Sequence, residues 1–114
     1  MSNGRAAQGE DDGRIVRIAE IEIDPDCLDD YKALLAEEIE ASVRLEAGVL
    51  SLLAVSIKGL PAHIRILEIY ADRQAYEAHL TTPHFLKYKT LTAGMVRSLR
   101  LVETDPICLG LKGG

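Results

Sequence analysis

The chain has 114 residues, 47% hydrophobic and 27% charged, with a formal net charge of −5. That is enough for one domain with a single core, and the composition excludes general disorder. An acidic balance without clustered Lys or Arg argues against nucleic acid and anionic membrane surfaces, which both call for a basic face.

No apolar run approaches the roughly 20 residues of a membrane span, and the N-terminus lacks the apolar core of a secretory signal, so the cytoplasm is the expected location. Cys27 and Cys108 are too few for a disulfide framework or a cysteine metal site and are expected as reduced thiols.

Residues 1–13, MSNGRAAQGEDDG, are small, polar and acidic, and predict a disordered tail ahead of a domain over 14–105. Arg14 to Ile23 reads as the first strand, with Val16, Ile18, Glu20 and Glu22 on one face and Ile15, Arg17, Ala19, Ile21 and Ile23 on the other. Asp24 and Pro25 supply an N-cap and a first-turn proline for a helix to about Glu46. Its apolar stripe is Leu28, Tyr31, Leu35, Ile39 and Val43, which leaves Glu37, Glu38 and Glu40 for the solvent side. Gly48 is expected to end the helix in a left-handed conformation.

Val49 to Lys58 is the second strand, and Gly59-Leu60-Pro61 turns the chain into an antiparallel partner. On that third strand Ile64, Ile66, Glu68 and Tyr70 share a face. Asp72 caps a short helix carrying Tyr76, His79 and Leu80. Thr82 and Pro83 then start a helix to about Val96, with His84 and Phe85 in its first turn. Ser98 to Thr104 is the last strand.

The order β-α-β-β-α-β is the ferredoxin-like α+β arrangement, a four-stranded antiparallel sheet with its helices on one face. The other face, rich in Val, Ile and Leu, would be an exposed apolar patch, which predicts a homodimer. The apolar tail within 106–114, Ile107 to Leu111, is expected to pack on the partner subunit.

Polar, titratable and aromatic groups converge only between Ile64 and Tyr88. Glu68, between Leu67 and Ile69, is either a desolvated carboxylate able to act as a base or one satisfied by Arg65, Arg97, Arg100 or backbone. Tyr70 either donates to a substrate oxygen or ends the strand as an amphipathic core residue. His79 either transfers protons or orients substrate near neutral pH, or serves as a packing or capping residue. His84, Phe85 and Tyr76 are candidate substrate-binding residues, while His63 reads as a solvated turn residue. No metal is expected, because His79 and His84 lie across a helix break without carboxylate or cysteine company in the sequence. There is no glycine-rich phosphate loop and no Gly-x-Ser-x-Gly elbow.

The central stretch resembles the antibiotic biosynthesis monooxygenase group of the dimeric ferredoxin-like α+β-barrel proteins. The matching residues are Glu68, Tyr70, Asp72, Ala75, His79, Thr82, Pro83, His84, Phe85 and Tyr88. Leu45 to Leu50 is similar to the family's Glu-Pro-Gly turn, with Ala47 where proline is usual. The resemblance covers roughly residues 14 to 104. It implies a barrel-like homodimer with one pocket per protomer and cofactor-independent oxygenation of a quinol, phenol or polyketide-like aromatic. Isomerisation of a small hydroxy-ketone and ligand binding without turnover are the alternatives. Haem-degrading relatives rely on a first-strand asparagine and a tryptophan after the third strand, and this chain has neither.

Overall fold

The computed structural model describes residues 13–112, so the tail expected over 1–13 lies, but for Gly13, outside the described residues. The elements are β1 (Ile15–Ile23), a 3-10 turn (Pro25–Cys27), α1 (Leu28–Leu45), β2 (Val49–Ile57), β3 (Leu60–Tyr70), α2 (Arg73–His79), α3 (Pro83–Thr92) and β4 (Val96–Thr104). Their strands form one antiparallel sheet in the order β2-β3-β1-β4. This is the ferredoxin-like topology that the order of elements predicts. Among the described residues no helix is long and apolar enough to cross a membrane.

The helix starts follow their local chemistry. Asp24 accepts from the Asp26 amide, Asp72 from the Ala75 amide and Thr82 from the Phe85 amide, so each satisfies a donor with no partner inside its helix. Pro25 and Pro83 occupy the first turn, where a missing N–H costs nothing.

Several boundaries differ from the sequence expectation. Asp24 and Pro25 start only the 3-10 turn, and α1 begins at Leu28 behind Cys27, which makes no side-chain cap bond. β3 already begins at Leu60, within the expected turn. The last helix ends at Thr92, and Val96 already pairs with Ile23, which begins β4 earlier than Ser98. Sheet pairing wins there over the continued helical pattern.

The core lies between α1 and the inward face of β1 and β3. Ala19, Ile21 and Ile23 alternate along β1, Ile64 and Ile66 along β3, and Tyr31 and Leu35 come down from α1. Each such aliphatic side chain is worth about 1.5–3 kcal/mol when buried. Register sets Ala19 against Ile66, Ile21 against Ile64 and Arg17 against Glu68.

The α1 stripe does not run as its apolar residues suggest. Val43 is exposed, whereas Glu38 and Ser42 are buried. The inward series is Tyr31, Leu35, Glu38 and Ser42, which keeps helical spacing while the residue type turns polar. Glu38 is therefore not on the solvent side, where the sequence reading put it.

Gly48 also has a different role from the one expected. Glu46 caps α1 in extended conformation, and the described glycines with positive φ are Gly13 and Gly59. What Gly48 provides is room, since a Cβ there would collide with the Cβ of Ala75 on α2. Gly48→Ala should lower stability by about 1–3 kcal/mol in urea denaturation, the usual range for overpacking. Gly94→Ala, with nothing within 4 Å of the added methyl, should not incur this steric loss.

Candidate functional site

Three helices cover β1 and β3 but leave the inward side of β4 partly open, with Leu99 and Leu101 exposed. The result is a cavity of about 600 Å³ between sheet and helices. Its walls include Ala19, Ile21 and Ile66 below, Leu35 and Ile39 from α1, and Phe85 and Tyr88 from α3. A volume within about 300–1,000 Å³ and a mostly apolar lining suit a small organic ligand.

Glu68 and Tyr70 share a strand face at the end of β3, and the Tyr70 hydroxyl donates to Glu68 Oε1 at 3.0 Å. Both line the cavity. Across the β1–β3 pair, register brings Arg17 opposite Glu68, and across β1–β4 it brings Arg17 opposite Glu103. Arg17 is buried, bonds Glu103 at 2.9 Å and lies 4.5 Å from the centre of the Tyr76 ring. Among the described residues its Nε has no hydrogen-bond partner.

Arg65 and Arg100, two of the partners weighed for Glu68 from sequence, instead pair with Glu20 on the opposite sheet face. Arg97 pairs with Asp24. Alternation along the strands dictates that outcome, because Glu20 and Glu68 belong to opposite faces.

His79 ends α2 and is 3% exposed. Its ring sits between Tyr70 and Phe85, with centroid separations of 5.4 and 4.9 Å. Nδ1 lies 3.0 Å from Glu46 Oε2, and Nε2 lies 3.4 Å from Glu38 Oε2. Ser42 donates to the same Glu38 oxygen at 2.8 Å. His84 reaches Glu46 Oε2 through Nε2 at 2.5 Å. Further along the cavity the hydroxyls of Tyr31 and Tyr88 are 2.6 Å apart.

The fold thus brings Glu68, Tyr70, Tyr76, His79 and Phe85 to one cavity. His84 is not among its lining residues and turns toward Glu46 instead. Glu38, Glu46, Arg17 and the Tyr31–Tyr88 pair escaped the sequence reading as site residues. For Glu38 the available signal was its place in the inward helical series after Tyr31 and Leu35. For Arg17 it was a charge on the strand face otherwise made of Ala19, Ile21 and Ile23.

Burial dominates the acid–base properties. It pushes the Glu68 carboxyl up, against the opposing effects of the Tyr70 hydrogen bond and the Arg17 charge. Burial also raises Glu38, with Ser42 and His79 pulling the other way. At Glu46 burial again opposes the charge, but hydrogen bonds from His84 and His79 outweigh it and hold the group below the ordinary carboxylate range. Burial and the neighbouring Glu68 charge keep the Tyr70 phenol protonated.

The opposite shifts have opposite linkage. A raised carboxylate contributes most to stability below its unfolded pKa and loses that contribution as pH rises through the folded value. A lowered one contributes above its unfolded pKa and loses it as pH falls. Relative to the parent, Glu68→Gln should therefore gain stability as pH rises above about 4. Glu46→Gln should show a deficit at neutral pH that shrinks below about pH 4. Urea denaturation as a function of pH checks both, and slopes of one sign would contradict the assignment.

A profile of the family described as antibiotic biosynthesis monooxygenase matches residues 14–91. Among solved structures, a candidate antibiotic biosynthesis monooxygenase from Bacteroides thetaiotaomicron is 51% identical, with a TM-score of 0.86 over 93% of this chain and 99% of its own. A candidate monooxygenase from Lactobacillus acidophilus is 25% identical, with a TM-score of 0.80 over 81% of this chain. The match spans 44% of that longer chain. A structure from Caulobacter crescentus shares the fold at 18% identity, with a TM-score of 0.79 over 84% of this chain and 92% of its own. Comparison with proteins of curated function returns no match.

Proposed function

The chain belongs to the antibiotic biosynthesis monooxygenase family, and on that premise we propose that it oxygenates a quinol, phenol or polyketide-like aromatic using the substrate's own electrons. The observation that carries this reading is the Glu68–Tyr70 pair facing an apolar cavity of about 600 Å³. A carboxylate whose proton affinity is raised by burial is suited to proton abstraction near neutral pH.

In this scheme Glu68 takes a proton from the substrate, and the resulting anion is stabilised by the nearby Arg17 charge. Once Glu68 is protonated it no longer needs the Tyr70 hydroxyl as a donor, and that hydroxyl is free to serve the substrate oxyanion. The anion transfers electrons to dioxygen and a C–O bond forms. For a ring CH₂ flanked by aromatic carbons, the peroxide loses its second carbon-bound hydrogen as a proton while the O–O bond breaks. The products are a ketone and one water, so one dioxygen is consumed per substrate. Glu38 and His79, joined at the cavity wall, are placed to relay protons. Phe85 and Tyr76 supply aromatic surface for the substrate.

Oxygen uptake with a panel of hydroquinones and anthrone-like phenols tests this. Glu68→Gln should lower kcat by about 10²–10⁴, the usual worth of a general base. Tyr70→Phe should also lower kcat while leaving the fold intact. No uptake across the panel, together with solvent exchange of a hydroxy-ketone's carbon-bound hydrogen, would replace this reading with isomerisation.

The outward sheet face supports a homodimer within the proposal. Leu53, Val55 and Leu67 are exposed there beside Val16, Ile18 and Val102. Such a patch is costly to leave in water. Sedimentation should give twice the 12.5 kDa protomer mass, and Leu53→Lys combined with Val55→Lys should shift it toward the monomer.

A further inference from the structure

We propose that Glu46, His79 and His84 form a binding site for a divalent transition metal of the zinc class, one ion per protomer. Their ligand atoms all lie within 4.8 Å of one another. Each comes from a different element: Glu46 caps α1, His79 ends α2 and His84 opens α3. The sequence reading found no carboxylate beside the two histidines, and the fold supplies one.

The geometry has the features of a metal centre. Both imidazoles converge on one oxygen, Glu46 Oε2, at 3.0 and 2.5 Å. Zinc–ligand bonds of about 2.0–2.2 Å place tetrahedral donor atoms a little over 3 Å apart. To admit an ion the Glu46 oxygen would therefore draw back slightly from the imidazoles, whose ligand atoms already lie within 4.8 Å of one another.

Behind the donors there is a supporting layer. With Nδ1 of His79 on the metal, its Nε2–H faces Glu38, and Glu38 is itself held by Ser42. A carboxylate on the far nitrogen of a ligating histidine fixes the tautomer and makes the ligand more basic. Tyr70 and Phe85 fix the ring from either side.

The Glu46 and His84 side chains are 13% and 15% exposed, which leaves an approach and a position for water. Two imidazoles and one carboxylate favour zinc, cobalt or nickel over calcium or magnesium, which prefer all-oxygen sets.

Glu46 and His84 are not among the residues lining the cavity, so the ion sits behind the wall that His79 forms. The inference does not rest on the proposed oxygenation, although it shares His79 and Glu38 with the relay proposed there. A bound cation would lock His79 with its proton toward Glu38, anchoring three helix termini and the cavity wall together.

The test uses untagged full-length protein freed of metal by a chelator and titrated with Co²⁺, then with Zn²⁺ as competitor. The expected result is the intense visible absorption of four- or five-coordinate cobalt, saturating at one ion per protomer and displaced by zinc. His84→Ala and Glu46→Gln should weaken Co²⁺ binding at least about 100-fold, and Glu38→Gln about 10- to 100-fold. His63→Ala should leave it unchanged. A spectrum that stays that of the aquo ion overturns the proposal in the parent protein alone, without reliance on any variant. So does binding that survives both His84→Ala and Glu46→Gln, or calcium competing as well as zinc.

Discussion

The burial of the polar half of α1 is the constraint on which the rest of the site depends. A helix that lies along a sheet must turn one face inward over its whole length, whatever residues that face carries. In α1 the face begins with Tyr31 and Leu35 and continues with Glu38 and Ser42. An inward carboxylate without partners would be costly, so Glu38 needs donors, and Ser42 and His79 provide them. His79 in turn requires α2 to dock close to the start of β2. That approach is possible because Gly48 has no side chain where Ala75 packs.

The sheet contributes the complementary charge. Arg17 stands between Glu68 and Glu103 by strand register alone. Its positive charge partly offsets the burial of Glu68, whose carboxyl is nonetheless raised. The two walls of the cavity are thus matched electrostatically, with a guanidinium and a carboxylate on the floor and a carboxylate–imidazole pair above. Aromatic rings fill the space between them, running from Tyr76 through Tyr70, His79 and Phe85 to Tyr88. They keep the polar groups in low dielectric and fixed orientation, which makes their interactions stronger than they would be in water.

Uneven helix cover explains why there is a cavity at all. The helices pack on the central strands, so Ala19 is fully buried while Leu99 and Leu101 of neighbouring β4 remain open. Ala19 lies in register with Ile66 on one side and Leu101 on the other. A single methyl between two larger residues leaves space above the floor. The same sheet presents its other side as an apolar surface crossed by the Glu20 pairs with Arg65 and Arg100.

By itself the sequence determined the element order, the antiparallel topology, the helix starts at Asp72 and Thr82, and the family. Those features rest on short-range patterns: alternation at period two, helical periodicity, and caps within a few residues of their targets. It also pointed to Glu68 and Tyr70, because two residues apart on a strand means one shared face. The tertiary structure alone decided which polar residues meet across elements. Glu46 lies 33 residues from His79 and 38 from His84. Arg17 meets Glu68 through strand register, while Glu38 turns inward because the packing of α1 on the sheet outweighs the solvation of one carboxylate. Contacts of that kind depend on docking angles and register over the whole chain, and local spacing carries no information about them.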